Sequence, residues 1–144
     1  MRFEKEITVN AAPEKVFDYI ADLARHSEWV NRPLNVKMTS SGPVGVGSTF
    51  SSTGKPFGTH TDTVTIVEYV PSSKVVFRSE GDAGTVRHWF GLAPEGSGTR
   101  LSKGLEFEKM APTTKMASFV VKRVAPKDLE ANLEKIKALV EGNA

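Results

Sequence analysis

The order of hydrophobic periods along this chain constrains its fold more than any single motif does. Phe3, Lys5, Ile7 and Val9 alternate with Glu4, Glu6 and Thr8, the period of two of a half-buried strand. Ala12-Pro13-Glu14-Lys15-Val16-Phe17-Asp18-Tyr19-Ile20-Ala21-Asp22 then reads as a short helix. Pro13 suits its first position, where the missing N–H costs nothing, and Val16, Phe17 and Ile20 supply an apolar face. Leu23, Ala24, Trp29 and Val30 suggest a second short helix or turn, which Pro33 closes. For roughly eighty residues after that, every periodic stretch is a strand pattern. One strand, a small helical insert, a long meander and a final long helix can be arranged in few ways. A sheet wrapped around a helix, with a cavity between them, satisfies the order.

The meander is explicit. Leu34, Val36 and Met38 alternate with polar residues, and Ser40-Ser41-Gly42-Pro43-Val44-Gly45-Val46-Gly47 is a turn before a third strand through Phe50. Gly54-Lys55-Pro56 turns the chain into a long strand over residues 58 to 70, with Val64, Ile66 and Tyr69. Pro71-Ser72-Ser73-Lys74 precedes Val75 and Phe77, Gly81-Asp82-Ala83-Gly84 precedes Val86, His88, Phe90 and Leu92, and Pro94-Glu95-Gly96-Ser97-Gly98 precedes Leu101, Leu105 and Phe107. Strands joined by turns this short are antiparallel. Pro112 opens the last element, in which Met116, Phe119, Val120, Val124, Leu129, Leu133, Ile136 and Val140 recur near helical spacing. Their phase shifts between Val124 and Leu129, where Pro126 removes a donor, so a kink or break is expected there and a gate near Pro112 and Pro126. If helical, residues 113 to 140 reach ~40 Å, enough to cross a sheet.

Composition narrows the function classes. With 144 residues the chain is expected to be one domain, residues 1–144. The net charge of +2 and the scattering of its basic residues argue against nucleic acid. The chain has no cysteine, which excludes disulfides, thiolate catalysis and Cys-ligated zinc and suits a reducing cytoplasmic setting. No signal peptide is read at Met1-Arg2-Phe3-Glu4-Lys5-Glu6, and no window approaches the ~20 apolar residues of a membrane span, so no stable membrane insertion is expected. Gly42, Gly45 and Gly47 lack the G-x-G-x-x-G spacing and precede a strand, so they form a hairpin loop and not a phosphate cradle.

In three places the chain resembles the polyketide cyclase/dehydrase-like group of the START/Bet v 1 (SRPBCC, helix-grip) superfamily. They are residues 12 to 22 with Trp29; Gly42-Pro43-Val44-Gly45-Val46-Gly47 leading to Phe50; and Gly98-Thr99-Arg100-Leu101, followed by the helix ending Leu133-Glu134-Lys135-Ile136-Lys137-Ala138-Leu139-Val140-Glu141. The resemblance implies an α+β helix-grip fold: a seven-stranded curved antiparallel sheet wrapped around a long C-terminal helix, with two short helices between strands 1 and 2. It also implies an apolar or amphipathic small-molecule ligand of lipid, sterol or polyketide type. Some members are cyclases or dehydratases, and fold alone does not choose among these roles.

Strand parity assigns the candidate site. If Val64 and Ile66 face the helix, His60 and Asp62 share that face, and His88 shares the parity of Val86 and Phe90. Two histidines and a carboxylate would then converge on one cavity. A histidine near its ordinary pKa of ~6.5 can shuttle a proton and a carboxylate can orient it, so His88, His60 and Asp62 are the candidate catalytic residues of a cyclase or dehydratase. The bland alternative is that they bond a ligand's polar end or sit at the rim in water. No metal and no cofactor is expected, because the histidines lack a sharp ligand spacing. The remaining ligand-binding candidates are Trp29, Phe50, Val64, Ile66, Phe77, Phe90, Leu105, Met116 and Val120. Trp29 is read as either a core plug or the pocket mouth. Lys5 and Lys103 either snorkel to the sheet edge or sit in the pocket and pair with an acidic ligand, and the edge is the favoured reading. Arg78 and Arg87 should be solvated outer-face charges, and Trp89 a convex-face residue that is exposed or in a homodimer contact.

These readings favour a carrier or sensor for a small hydrophobic or amphipathic molecule held in a cavity of ~300–1,000 Å³. The rival is an enzyme of polyketide cyclase or dehydratase type using a pocket histidine as general acid/base. A third is a protein-interaction module, which would expose an apolar patch.

Overall fold

The structure, a computed structural model, describes residues 1–30, 34–54 and 60–142, with backbone alone for Leu34 and His60. Seven antiparallel strands form one sheet in the order β1-β7-β6-β5-β4-β3-β2. They are β1 (Arg2–Val9), β2 (Leu34–Met38), β3 (Thr49–Gly54), β4 (His60–Val70), β5 (Lys74–Gly81), β6 (Gly84–Glu95) and β7 (Gly98–Met110). Helix α1 (Pro13–Ile20) and a 3-10 helix (Leu23–Glu28) carry the chain from the β1 edge to the β2 edge. Helices α2 (Pro112–Met116) and α3 (Ser118–Gly142) close the chain. This is the layout the resemblance implies.

The alternation of side chains decides which face is the interior. Phe3, Lys5, Ile7 and Val9 of β1 stand opposite Leu105, Lys103, Leu101 and Thr99 of β7. On β6, His88, Phe90 and Leu92 stand opposite Leu105, Lys103 and Leu101. Phe77 continues that row from His88 to Ile66, and Phe50 pairs with Val64. A period of two puts all of these on the concave face. Bulges at Val67 in β4 and at Glu108 in β7, opposite Thr85/Val86 of β6, shift the register and sharpen the local twist.

Helix α1 buries Val16, Phe17, Tyr19 and Ile20. The Tyr19 hydroxyl donates to Glu28 (2.9 Å), and Arg25 both pairs with Glu28 (3.1 Å) and lies 4.7 Å over the Tyr19 ring, which ties α1 to the 3-10 helix. Helix α3 packs on β1, β7 and α1 through Leu129, Leu133, Ile136 and Val140, all buried. Lys137 fastens its end to β1 by donating to the Thr8 carbonyl (2.8 Å), while Glu141 accepts from the Asn10 backbone N–H (2.7 Å).

The helix differs from expectation in one respect. Pro126 neither breaks nor ends it: α3 runs unbroken through Pro126, and the interruption lies at Ala117, between α2 and α3. The phase shift read in the sequence is therefore not absorbed by a break. It leaves Val120 and Val124 on the side of the helix away from Leu133 and Ile136. Met116 and Val120, expected as pocket walls, are accordingly 81% and 45% exposed.

Candidate functional site

Three elements deliver polar side chains to one end of the apolar concave face. The 3-10 helix has three residues per turn, so Leu23, His26 and the following Trp29 fall on one side of it. All three are buried. The His26 ring is 4.5 Å from Trp29, 5.5 Å from Phe77 and 6.4 Å from Phe90, centroid to centroid. Trp29 meets Phe90 edge-on at 5.8 Å, and Phe77 stacks on His88 at 5.0 Å and 12°. Side chains from β5 and β6 thus meet those of the 3-10 helix in one aromatic cluster.

Lys103 enters this cluster from β7. It was expected at the sheet edge, yet it is only 6% exposed, with Nζ 5.4 Å from the Trp29 ring and 5.6 Å from the Phe90 ring. The reason lies across the strand pair. Lys5 is directly opposite Lys103, and like charges in that relation repel. Lys5 is drawn outward to Glu130 on α3 (3.0 Å), and Lys103 turns inward over the aromatic faces, which favour a cation.

Both interior histidines are pushed down to a pKa of about 3. Burial is the larger cause in each, followed by the Lys103 charge; for His88 the neighbouring His26 adds to it. His26 is held by a hydrogen bond to the Ile20 backbone, which works in the opposite direction. That bond favours the protonated nitrogen, so Nδ1–H is the donor to the carbonyl and Nε2 carries the lone pair. Among the described residues, neither His26 Nε2 nor Trp29 Nε1 has a hydrogen-bond partner. His88 Nε2 lies 3.2 Å from the Ser79 hydroxyl. One buried acceptor and one buried donor, both unsatisfied, therefore stand beside an ammonium group.

Of the residues picked from the sequence, Trp29, Phe50, Val64, Ile66, Phe77 and Phe90 are buried on the concave side, while His88 and Leu105 are half-buried there as cross-strand partners. The structure does not bring Asp62 and His88 together into one constellation. Asp62 lies against Gly81, where a Cβ would overlap its carboxylate, and His88 is opposite Phe77, four residues earlier on β5. At ~3.3 Å per residue the two are ~13 Å apart along the strand. The His60 backbone pairs with Gly54, one step beyond Asp62, and its side chain lies outside the described residues. Parity placed Asp62 and His88 on the right face but not at the same level. His26 was missed altogether, although the i, i+3, i+6 spacing of Leu23, His26 and Trp29 carried the signal.

On the outer face Arg78, Arg87 and Trp89 are half-buried and not the freely solvated side chains expected. Arg78 pairs with Glu108 (2.7 Å), and Trp89 lies across Gly104, donates to Glu4 (2.6 Å) and stacks under Arg2 at 4.7 Å. Two shallow clefts lined by described residues, of about 370 and 340 Å³, lie over Gly91, Arg100 and Ser102 and between Gly81, Gly84 and Pro112. Neither touches the histidine cluster, so neither is the enclosed cavity expected under the helix. On the concave face beside the cluster, Val86, His88, Leu105 and Phe107 stay half-buried. Among the described residues no cluster of three or more His, Asp and Glu could hold a metal ion, and no helix is long and apolar enough to cross a membrane.

A curved seven-stranded sheet packed on a C-terminal helix, with an apolar concave face that carries buried polar groups, defines a helix-grip, Bet v 1-like fold. The chain matches over residues 1–141 the family described as polyketide cyclase/dehydrase and lipid transport, and it belongs to that family. Its fold is similar to that of TTHA0849 from Thermus thermophilus, with a TM-score of 0.82, 19% identity and coverage of 100% of this chain and 99% of that one. It is also similar to the Zhui aromatase/cyclase from Streptomyces sp. R1128, with a TM-score of 0.73, 17% identity and coverage of 97% and 95%. Ara h 8.0201 gives a TM-score of 0.70 at 16% identity, covering 99% and 98%. No curated protein matches the sequence.

Proposed function

We propose that this protein binds a small amphipathic molecule, with its apolar body along the concave face and its polar head at Trp29, His26 and Lys103, and acts as a carrier or sensor. The observation that carries this reading is the pair of buried, unpartnered groups, Trp29 Nε1 and His26 Nε2, side by side next to Lys103. Leaving a buried donor or acceptor unsatisfied costs roughly 1–3 kcal/mol each, so a ligand that satisfies both recovers that cost on binding. The pattern asks for a head that accepts from an indole N–H and an ammonium and donates to a neutral imidazole. A carboxylic acid, a phenol or an enol does this with one functional group.

A cyclase or dehydratase would draw on the same two imidazoles. A base held at a pKa of about 3 has little driving force for proton abstraction at neutral pH, so the geometry favours holding over turnover. Native mass spectrometry of the protein purified from its own host tests the proposal. A bound mass released by denaturation, and lost in Trp29→Phe with His26→Phe while the variant keeps its circular dichroism, is the expected result. A ligand retained by that double variant, or one without any acidic or hydroxyl head, would overturn it.

A further inference from the structure

The unbroken course of α3 through Pro126 puts Val120 and Val124 on the side of the helix away from Leu133 and Ile136. Val124 and Leu133 are nine residues apart, which at ~100° per residue places them about 180° from each other around the axis. Leu129, Leu133, Ile136 and Val140 pack inward. Val120 and Val124 point outward, 45% and 44% exposed. Phe119 lies on the flank between the two sides, yet it is 72% exposed, and Met116 of α2 is 81% exposed, because no residue from 112 to 128 is buried. The side turned toward the molecule in this half of the helix carries smaller residues, Ser118, Val121 and Ala125, which are half-buried. Large exposed apolar side chains grouped this way mark an interaction surface.

The charge around the stripe decides what covers it. Arg123 and Lys127 stand within the same face, and Lys115 and Lys122 flank it, all four exposed. Residues 112 to 127 contain no acidic residue. Among the described residues none of the four basic groups is held in an ion pair. A second copy of the chain would set this all-cationic face against itself, which disfavours a symmetric dimer here. A basic amphipathic helix face with a phenylalanine at its centre is complementary to a negatively charged lipid interface, where the apolar side chains enter the headgroup boundary and the cations stay in the anionic layer.

We propose that the outer face of α2 and the first half of α3 is a docking surface for membranes rich in anionic phospholipid. The attachment is peripheral, and it is independent of what occupies the concave face. The test is co-sedimentation of the full chain with vesicles of phosphatidylcholine alone and of phosphatidylcholine mixed with phosphatidylglycerol. Binding to the mixed vesicles and not to the neutral ones is expected, and it should weaken as salt is raised toward 1 M, where the screening length falls to ~3 Å. Phe119→Ser with Val120→Ser, and separately Lys122→Glu with Arg123→Glu, should each weaken vesicle binding by about tenfold or more with the far-ultraviolet circular dichroism unchanged. These positions are exposed, so both variants keep the fold. Equal binding to both vesicle types, retention by either double variant, or a dimer in light scattering that the Phe119→Ser variant abolishes would overturn the proposal.

Discussion

Lowering the pH from 7 to 5 should destabilise this protein sharply, and the amount can be worked from His26 and His88. Each has a folded pKa of about 3 against ~6.5 in an unfolded chain. The unfolded chain therefore takes up protons that the native state refuses, so stability is complete above ~6.5 and declines as pH falls toward the folded value. At pH 5 the unfolded histidine is almost fully protonated and the native one is not. The loss per group is then about 1.4 kcal/mol for each of the 1.5 pH units below 6.5, or roughly 2 kcal/mol. This figure does not depend on the exact folded value, provided it lies well below 5. His26, which is buried, gives ~2 kcal/mol, and half-buried His88 adds less than that, so the pair gives about 2–4 kcal/mol, a large part of the 5–15 kcal/mol typical of a domain. The depressed carboxylates Glu28, Glu95, Glu108 and Glu141 act in the same direction, but below their ordinary value of 4.5, so the window from 7 to 5 isolates the imidazoles. Urea unfolding followed by tryptophan fluorescence reads the effect directly. With a urea slope of about 1–3 kcal/mol/M, the midpoint should fall by about 1–2 M between pH 7 and pH 5. His26→Phe, which keeps a ring among Trp29, Phe77 and Phe90 but cannot titrate, should at least halve the pH dependence. A midpoint flat over this range, or a His26→Phe variant with the wild-type slope, would refute the account of a buried neutral histidine pair.

Other consequences can be checked as simply. Replacing Lys103 by Met removes the second cause of both depressed histidine values, so NMR titration should show His26 and His88 moving up toward 6.5 without reaching it, because burial remains. A Cβ on Gly104 would overlap the Trp89 indole, so Gly104→Ala should displace that ring from Glu4 and Arg2 at a cost of roughly 1–3 kcal/mol, while Gly45→Ala, with open space around it, should leave the melting temperature nearly unchanged. Leu133→Ala should cost about 2–5 kcal/mol in chemical denaturation and Phe119→Ala less than ~0.5, since the first empties a buried site and the second trims an exposed one. Similar costs for the two would mean that the outer stripe of α3 is packed against something.

The legible and illegible parts of this molecule divide along a physical line. A strand's period of two is local, so Phe50, Val64, Ile66, Phe77, His88 and Phe90 could be placed on the concave face from the sequence alone. How far along the sheet each one sits depends on register, which the turns and the two bulges set between strands. That is why Asp62 and His88 share a face and yet lie at different levels. Lys103 was misplaced for a related reason: its inward turn depends on Lys5 across the strand pair and on Trp29 from a distant helix, neither of which its neighbours in sequence reveal. His26 is the opposite case. Its spacing from Leu23 and Trp29 fits a 3-10 period, but a strand-and-α-helix vocabulary passes over a period of three.

In the final helix the local signal is legible while its structural outcome is not. The phase shift at Pro126 is real in the sequence, and a proline within a helix removes one bond and crowds the turn before it. A break would have let both apolar stripes face the sheet. The helix continues instead, because its second half is anchored by Leu129, Leu133 and Ile136 and by the Lys137 and Glu141 bonds to β1 and the residue beyond it. An anchored helix with this phase shift presents Val120 and Val124 to the outside. Phe119 lies on the flank and is exposed among basic residues because no residue from 112 to 128 is buried. Deleting a single residue between Val124 and Leu129 would bring Val124 from opposite Leu133 to about 80° from it, so a thiol placed by Val124→Cys should label more slowly in the deletion variant than in the full-length chain.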